Sequence, residues 1–251
     1  MSKEAYTYGI FVFKAKVPKC NSIWPAIWML PGNTSGHGVY GDWPCSGEID
    51  ILETVGDGTV GAFNLVAGYG SPWAGCGDQH MCNKCGDWGP FCTSSTMLND
   101  LQGSFYDVQQ TDCSVEHPSW DEHTYVLNWQ PTKIGVYVDP VMEFEGEKLV
   151  KMLPKEENPY AGFPTFKEYS LEQTPTWQAV DDYMEGCYPE QATSGAPFDK
   201  PFKIVLNIAL GGYGGAKCSW GEDACTAKDG CGGAIGSELE ITEIKIYEYE
   251  K

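Results

Sequence analysis

The hydrophobic pattern of the chain changes between strict alternation and unbroken apolar runs, and both are typical of β-strands. Apolar and polar positions alternate in Lys133–Val138, as in a strand with one buried face. Phe202–Leu210 is almost continuously apolar, which predicts a strand buried on both faces at the centre of a sandwich. Other β-prone stretches bounded by turn residues predict further strands: Tyr6–Val17, Glu48–Val55, Thr124–Trp129 and Leu239–Tyr249. No helical period is sustained, so an all-β fold of two packed sheets is predicted.

Three segments lack this pattern and are predicted to be loops over the sandwich. Gly68–Ser119 is rich in cysteine, Met152–Phe198 is rich in Pro, Glu and Tyr, and Gly211–Gly236 is rich in Gly and Cys. Long loops of this kind are usually functional or need covalent support. Since no internal repeat or low-complexity tract interrupts the chain, residues 1–251 are predicted to form a single domain.

Composition narrows the possible partners. Thirty glycines, sixteen prolines and 13% aromatic residues argue against a helical bundle. The formal net charge of -19 would repel nucleic acid and anionic membrane surfaces, and no apolar run is long enough to span a membrane. All sixteen basic residues are lysines, so no guanidinium is present to grip a sulfate group. A neutral polymer is compatible with this charge.

Eleven cysteines predict an oxidising compartment, and therefore a secreted protein with disulfides, although the opening Met-Ser-Lys-Glu-Ala-Tyr has no apolar signal region. At least one cysteine must stay unpaired. Cys76, Cys82, Cys85 and Cys92 also have spacing that four zinc ligands could use. Disulfides are the simpler interpretation, and their connectivity is left open.

The chemistry-bearing motif is a cluster of three carboxylates, Glu48, Asp50 and Glu53, within one β-prone run. Side chains alternate along a strand, so Glu48 and Asp50 share a face, whereas strict alternation would bury Glu53 on the apolar side. A β-bulge near Ile51 and Leu52 would return Glu53 to the polar face, and the sequence therefore predicts one.

Aligned in this way, Glu48 and Glu53 could flank a glycosidic bond at the separation of roughly 5 to 5.5 Å that retaining hydrolysis uses. Like charges at this distance raise the pKa of one group, which leaves a protonated acid beside an ionised nucleophile. Asp50, between them, could hold the nucleophile by a hydrogen bond. An exposed acidic edge strand or a metal-binding cluster would give the same spacing.

Several segments resemble, in this order, the laminarinase branch of the family 16 glycoside hydrolases. They are Tyr8-Gly-Ile-Phe-Val-Phe-Lys-Ala-Lys, Ile23-Trp-Pro-Ala-Ile-Trp-Met-Leu-Pro31, Asp42-Trp-Pro-Cys-Ser-Gly-Glu-Ile-Asp-Ile-Leu-Glu53, His123-Thr-Tyr-Val-Leu-Asn-Trp129, Lys133-Ile-Gly-Val-Tyr-Val-Asp139, Pro201-Phe-Lys-Ile-Val-Leu-Asn-Ile-Ala-Leu-Gly-Gly212 and Ile241–Glu248. The resemblance implies a curved antiparallel jelly roll with an open substrate cleft. It also implies that Glu48 is the nucleophile, Asp50 its helper and Glu53 the general acid/base. No cofactor is expected to be required. A structural calcium ion is possible in this family, and whether this chain binds one is left open.

The resemblance also implies strands before the Tyr8-Gly9 segment, so the chain is expected to lack the usual N-terminal strands of the family. Asn64 stands where laminarinase relatives tend to carry a histidine, and it could still hydrogen-bond a sugar or Glu53.

Tryptophans offer flat faces to sugar rings, and Trp43 resembles the platform next to the cleavage site in the family. Trp24 and Trp28, four residues apart on one strand, are expected to share a face, while Trp129 is expected to pack inside. Further candidate substrate-binding residues are Asn207, Tyr213 and Trp220.

The sequence therefore predicts a monomeric retaining endo-glycosidase that cuts β-1,3-glucan or mixed-linkage β-1,3-1,4-glucan. Two alternatives remain open. One is a β-glucan-binding protein without catalysis, although all three carboxylates are present. The other is a hydrolase of the same fold that acts on a galactan such as agar or carrageenan, which the Trp-Pro-Ala-Ile-Trp run makes the less favoured substrate.

Overall fold

A computed structural model of the 251-residue chain describes residues 1–18, 23–32, 39, 46–55, 59–66, 103–107, 121–155, 166–171, 195, 198–210 and 238–249. Within these ranges the chain forms strands and no helix longer than a single turn. The strands are β1 (Gly9–Lys16), β2 (Ile23–Pro31), β3 (Glu48–Val55), β4 (Thr59–Val66), β5 (Gly103–Asp107), β6 (His123–Trp129), β7 (Lys133–Val138), β8 (Val141–Glu145), β9 (Lys148–Leu153), β10 (Phe166–Ser170), β11 (Phe202–Leu210) and β12 (Glu240–Tyr247).

The strands form two five-stranded sheets and a separate hairpin. The first sheet has the order β10-β7-β6-β1-β12, the second has the order β11-β2-β3-β4-β5, and β8 pairs with β9. All the paired neighbours run antiparallel. The prediction of an all-β antiparallel fold is confirmed.

The hydrophobic core lies between the two sheets and takes residues from both. Alternate residues of each strand point inward, so Phe11 and Phe13 of β1 meet Ile27 and Met29 of β2 in one cluster of fully buried side chains. Each buried side chain of this size contributes about 1.5–3 kcal/mol to folding. Trp129 is fully buried as predicted, and its indole Nε1 donates a 2.9 Å hydrogen bond to the carbonyl of Phe198.

The prediction for Phe202–Leu210 is wrong in one respect, because among the described strands β11 lies at the end of the second sheet and not at its centre. Leu206 and Ile208 are 38% and 36% exposed. Among the described residues, the N-terminal segment pairs with the first part of β11, where Tyr6 and Phe202 exchange two backbone hydrogen bonds of 2.8 Å. A continuous apolar run indicates a strand, but it does not decide which neighbours that strand has.

Several strands lie where the sequence predicted none. β5 falls within Gly68–Ser119 and β10 within Met152–Phe198, the two segments predicted to be insertions. The β8–β9 hairpin was also missed, because its mostly exposed residues mix apolar and charged types without a strict period of two.

Candidate active site

The carboxylate cluster begins at the entry to β3. Ser46 is buried, and Gly47 has a φ of +83°, a left-handed conformation that residues with a Cβ rarely adopt. This turn directs the chain into the centre of the second sheet, where β3 lies between β2 and β4. Glu48 is the first residue of the strand and is half-buried. The interpretation of the cluster as an exposed edge strand is therefore wrong.

The predicted bulge is present at Ile51 and Leu52. On the β2 side, Ile27 pairs with Leu52 and the following residue Trp28 pairs with Asp50, so Ile51 is the extra residue. Ile51 and Leu52 are both fully buried in the core, and the bulge restores the phase of the strand for Glu53. Asp50 and Glu53 therefore lie on the face of the sheet that is turned away from the core.

A second irregularity, which sequence reasoning missed, lies directly opposite Glu53. Glu53 pairs with Ala62 while Thr54 pairs with Val60, so Gly61 of β4 has no partner of its own. A glycine inside a β-prone run often marks a bulge, and Gly61 was the available signal. Glu53 therefore lies next to two bulges, one at Ile51 and Leu52 in β3 and one at Gly61 in β4.

Burial and like charge dominate the electrostatics of the cluster. Asp50 is 1% exposed, and burial raises its pKa well above the usual range, with the nearby charges of Glu48 and then Glu53 adding to the effect. Its Oδ1 atom is buried and accepts no hydrogen bond from the described residues. A protonated Asp50 can donate a hydrogen bond to an ionised neighbour, which is the chemistry expected of a helper between two catalytic carboxylates.

A tryptophan and an asparagine lie on the same face as the carboxylates. Trp28 pairs directly with Asp50, and Asn207 of β11 pairs with Ala26, which in turn pairs with Glu53. Residues that are directly opposite on neighbouring strands point to the same side of a sheet. The indole Nε1 of Trp28 donates a 2.6 Å hydrogen bond to Oδ1 of Asn207, which fixes both side chains beside the carboxylate cluster.

The other predicted site residues are placed only in part. The backbone of Asn64 pairs with Asp50, and the backbone of Trp24 pairs with Ala209; their side chains lie outside the described part of the chain. Trp43, Tyr213 and Trp220 lie outside the described residues, as do all eleven cysteines. The predictions of an open cleft, of disulfides and of a zinc site in the cysteine-rich loop therefore stay predictions.

A model of a glycoside hydrolase family, described as "XgeA-like, catalytic GH16 domain", matches residues 1–143, which include all three carboxylates. That span is more than half of the chain. The chain belongs to glycoside hydrolase family 16. The family assignment made from the sequence motifs is confirmed.

Two curated relatives and one solved structure illustrate the range of family 16. The chain is 30% identical over 217 residues to the beta-1,3-glucan-binding protein of Penaeus monodon, covering 86% of this chain and 46% of the relative. It is 28% identical over 249 residues to the beta-glucanase of Rhodothermus marinus, covering 98% of this chain and 59% of the relative. The chain thus spans about half the length of these relatives.

The laminarinase structure from Rhodothermus marinus matches 99% of this chain and 68% of its own, with a TM-score of 0.53 and 23% sequence identity. At this identity the likeness concerns the fold alone. It shows that the two antiparallel sheets have the jelly-roll arrangement of family 16.

In the part of the chain that the structure describes, no three or more His, Cys, Asp or Glu side chains are grouped so that they could hold a metal ion. Among the same residues, no helix has the length and hydrophobicity needed to cross a membrane.

Proposed function

We propose that this family 16 domain is a retaining endo-glycosidase that hydrolyses β-1,3-glucan or mixed-linkage β-1,3-1,4-glucan. The observation that carries the proposal is the bulged strand β3, which keeps Glu48, Asp50 and Glu53 together on one face although burial and mutual repulsion make this costly. A binding function alone gives no reason to maintain such a cluster. Relatives named as a β-glucanase and a β-1,3-glucan-binding protein support a glucan ligand.

In the proposed mechanism, Glu53 donates a proton to the glycosidic oxygen while the Glu48 carboxylate attacks the anomeric carbon. This breaks the glycosidic bond and forms a glycosyl ester on Glu48. Glu53, now ionised, takes a proton from water, and the water attacks the anomeric carbon and releases Glu48. Two inversions give net retention of the β configuration. Asp50 holds Glu48 by donating a hydrogen bond from its protonated carboxyl group.

Sugar rings next to the reacting bond would stack on Trp28, whose orientation the Asn207 hydrogen bond fixes. The remaining proposed contacts come from Trp24, Trp43, Asn64, Tyr213 and Trp220. A neutral glucan also suits a chain with a net charge of -19 and no arginine, since a sulfated galactan would be repelled.

The proposed enzyme needs no cofactor for its chemistry, and a structural calcium is part of the proposal only as a support for the fold. We also propose that it is secreted and works as a monomer with disulfides.

The second candidate function is recognition of β-1,3-glucan without hydrolysis. The similarity to the Penaeus monodon protein, which is named for binding β-1,3-glucan, favours it. The two functions predict different results for product formation but the same result for retention on the polymer.

The substrate is tested by measuring reducing-sugar release from laminarin, mixed-linkage β-glucan and agarose at equal mass concentrations. The proposal expects release from one or both glucans and none above background from agarose. Release from agarose alone would reassign the substrate to a galactan. Retention on immobilised laminarin without release from any of the polymers would favour the binding function.

Replacing Gly47 by alanine is expected to lower both stability and glucan hydrolysis. A Cβ at a left-handed position costs about 1–2 kcal/mol, which corresponds to a melting temperature lower by roughly 2–8 °C for a domain of this size. Relief of the strain would rotate the entry to β3 and move Glu48. Thermal melts and laminarin hydrolysis measure the two effects.

Gly146→Ala is a matched control, because Gly146 is also left-handed, with a φ of +64°, but lies in the turn between β8 and β9 with open space around it. It should lower the melting temperature and leave the hydrolysis rate per folded molecule unchanged. Equal rates for Gly47→Ala and Gly146→Ala would contradict a role of Gly47 in placing Glu48.

A further inference from the structure

A second concave site lies at one end of the first sheet, where the N-terminal segment, the β6–β7 turn and the residues after β12 meet. The pocket has a volume of about 450 Å³, within the range of small-ligand sites. Its described lining contains no residue of β2, β3 or β4, the strands that form and flank the carboxylate cluster. The lining residues are Ala5, Tyr6, Thr7, Tyr8, Gln130, Pro131, Glu248 and Tyr249.

Three tyrosines line this pocket, and the packing beneath it fixes two of their rings. Tyr6 packs edge-on against Phe11 at a ring-centroid distance of 5.6 Å, and Tyr8 packs edge-on against Trp129 at 5.5 Å. Phe11 and Trp129 are fully buried in the core, so the pocket wall rests on a rigid base. Tyr249, 39% exposed, contributes the third ring.

The backbone at Tyr8 is strained in a way that supports a function for the pocket. Tyr8 has a φ of +67°, and a bulky residue in the left-handed region is uncommon and costs free energy. Such conformations persist where the surrounding structure maintains them, and they occur preferentially at binding sites. The conformation of Tyr8 places its ring between Trp129 and the pocket.

The polar groups of the pocket are neutral or negative. The hydroxyl of Tyr249 donates a hydrogen bond to Oδ1 of Asn128, and Nε2 of Gln130 donates to the same oxygen at 3.2 Å. Burial raises the pKa of Tyr249 to about 12 against the opposing effect of a hydrogen bond with Gln130, so the phenol stays protonated at working pH. Glu248 is exposed and supplies the only charged side chain among the described lining residues.

We propose that this pocket is a second polysaccharide-binding site, which holds a short stretch of the neutral β-glucan chain away from the carboxylate cluster. The proposal rests on the proposed function for the identity of the polymer. Flat phenol rings match the C–H faces of sugar rings, and an amide and a carboxylate match sugar hydroxyls as donor and acceptor. An anionic ligand would be repelled by Glu248.

The test uses the full chain with Glu48→Ser to stop turnover, and it measures retardation in native gels that contain increasing laminarin. Adding Tyr249→Ala should weaken the apparent affinity by about three- to tenfold, the effect of one aromatic stacking contact. Tyr249→Phe should keep most of the affinity because it keeps the ring. Phe144→Ala, which removes an exposed aromatic side chain outside the pocket, should leave the affinity unchanged. Thermal melts of each variant show that the fold is intact.

The parent in this test is the Glu48→Ser chain. If adding Tyr249→Ala leaves the affinity of this parent for laminarin unchanged, the second site is overturned. Equal weakening by Tyr249→Ala and Phe144→Ala would overturn it too. Absence of any retardation in the parent would overturn it as well. The proposed enzymatic function is judged separately, from sugar release by the unmodified chain. Weakening by Tyr249→Ala in a chain that releases no sugar would support the second site and contradict the enzyme.

Discussion

Replacing Glu48 by serine is expected to lower the rate of laminarin hydrolysis by about a thousandfold or more, since loss of a catalytic nucleophile removes the covalent route entirely. The serine hydroxyl is shorter and is not ionised at neutral pH, so it cannot form the glycosyl ester. Folding should be preserved, because Glu48 is only half-buried and its charge is one of the causes that raise the pKa of the buried Asp50. Initial rates of reducing-sugar release measure the effect.

Glu145→Ser is the matched control, because it makes the same substitution at an exposed glutamate of β8. It should hydrolyse laminarin at the parent rate. A Glu48→Ser protein that is folded and retains more than a tenth of the parent activity would show that Glu48 is not the nucleophile.

Replacing Asp50 by asparagine is expected to stabilise the protein at neutral pH and to slow hydrolysis. The isosteric amide removes a buried acid whose ionisation is opposed by burial and by the charges of Glu48 and Glu53. Relief of such a site is expected to add about 1 kcal/mol, or roughly 2–4 °C in melting temperature. The amide can still donate a hydrogen bond to Glu48, but this bond is weaker than the one from a carboxylic acid; a difference of about 1.5 kcal/mol slows the reaction by roughly tenfold.

The pH dependence of this stabilisation follows from the sign of the pKa shift. The folded state raises the pKa of Asp50, so above the usual pKa of about 3.9 the unfolded chain loses this proton before the folded chain does. The contribution of Asp50 to stability is therefore fully present below that pH and is lost as the pH rises towards the raised pKa. The stability gain of Asp50→Asn should be small near pH 3.5 and larger at pH 7.

Thermal melts of the parent, Asp50→Asn and the exposed control Asp121→Asn at both pH values test this prediction. Asp121→Asn should match the parent at pH 7. A melting temperature of Asp50→Asn below that of the parent at pH 7 would contradict a protonated, electrostatically costly Asp50.

The sequence was most informative where a local pattern conflicted with burial. The spacing of Glu48, Asp50 and Glu53 could not be reconciled with a regular strand without burying a charge, and the bulge that resolves the conflict was therefore predictable. The burial of Trp129 was also predictable, because this large apolar residue ends an alternating strand; the structure shows it fully buried. Both features depend on the residues of a single strand.

Features that depend on which strands become neighbours were less predictable. The apolar run of β11 was placed at the sandwich centre, but it lies at the end of its sheet, since sequence alone does not give sheet order. The Trp28–Asn207 hydrogen bond also joins strands that are distant in the chain. The tyrosine-lined pocket combines residues from both termini and a turn, so no local motif indicated it.

We propose above all that the carboxylates of β3 hydrolyse a β-glucan with retention of configuration. The most direct test follows the anomeric proton signals of the first products from laminarin by NMR, before mutarotation equilibrates them. If the configuration is retained, the β-anomer appears first and the α-anomer grows in later. Initial formation of the α-anomer, or no product from a folded protein, would contradict retaining hydrolysis by Glu48 and Glu53.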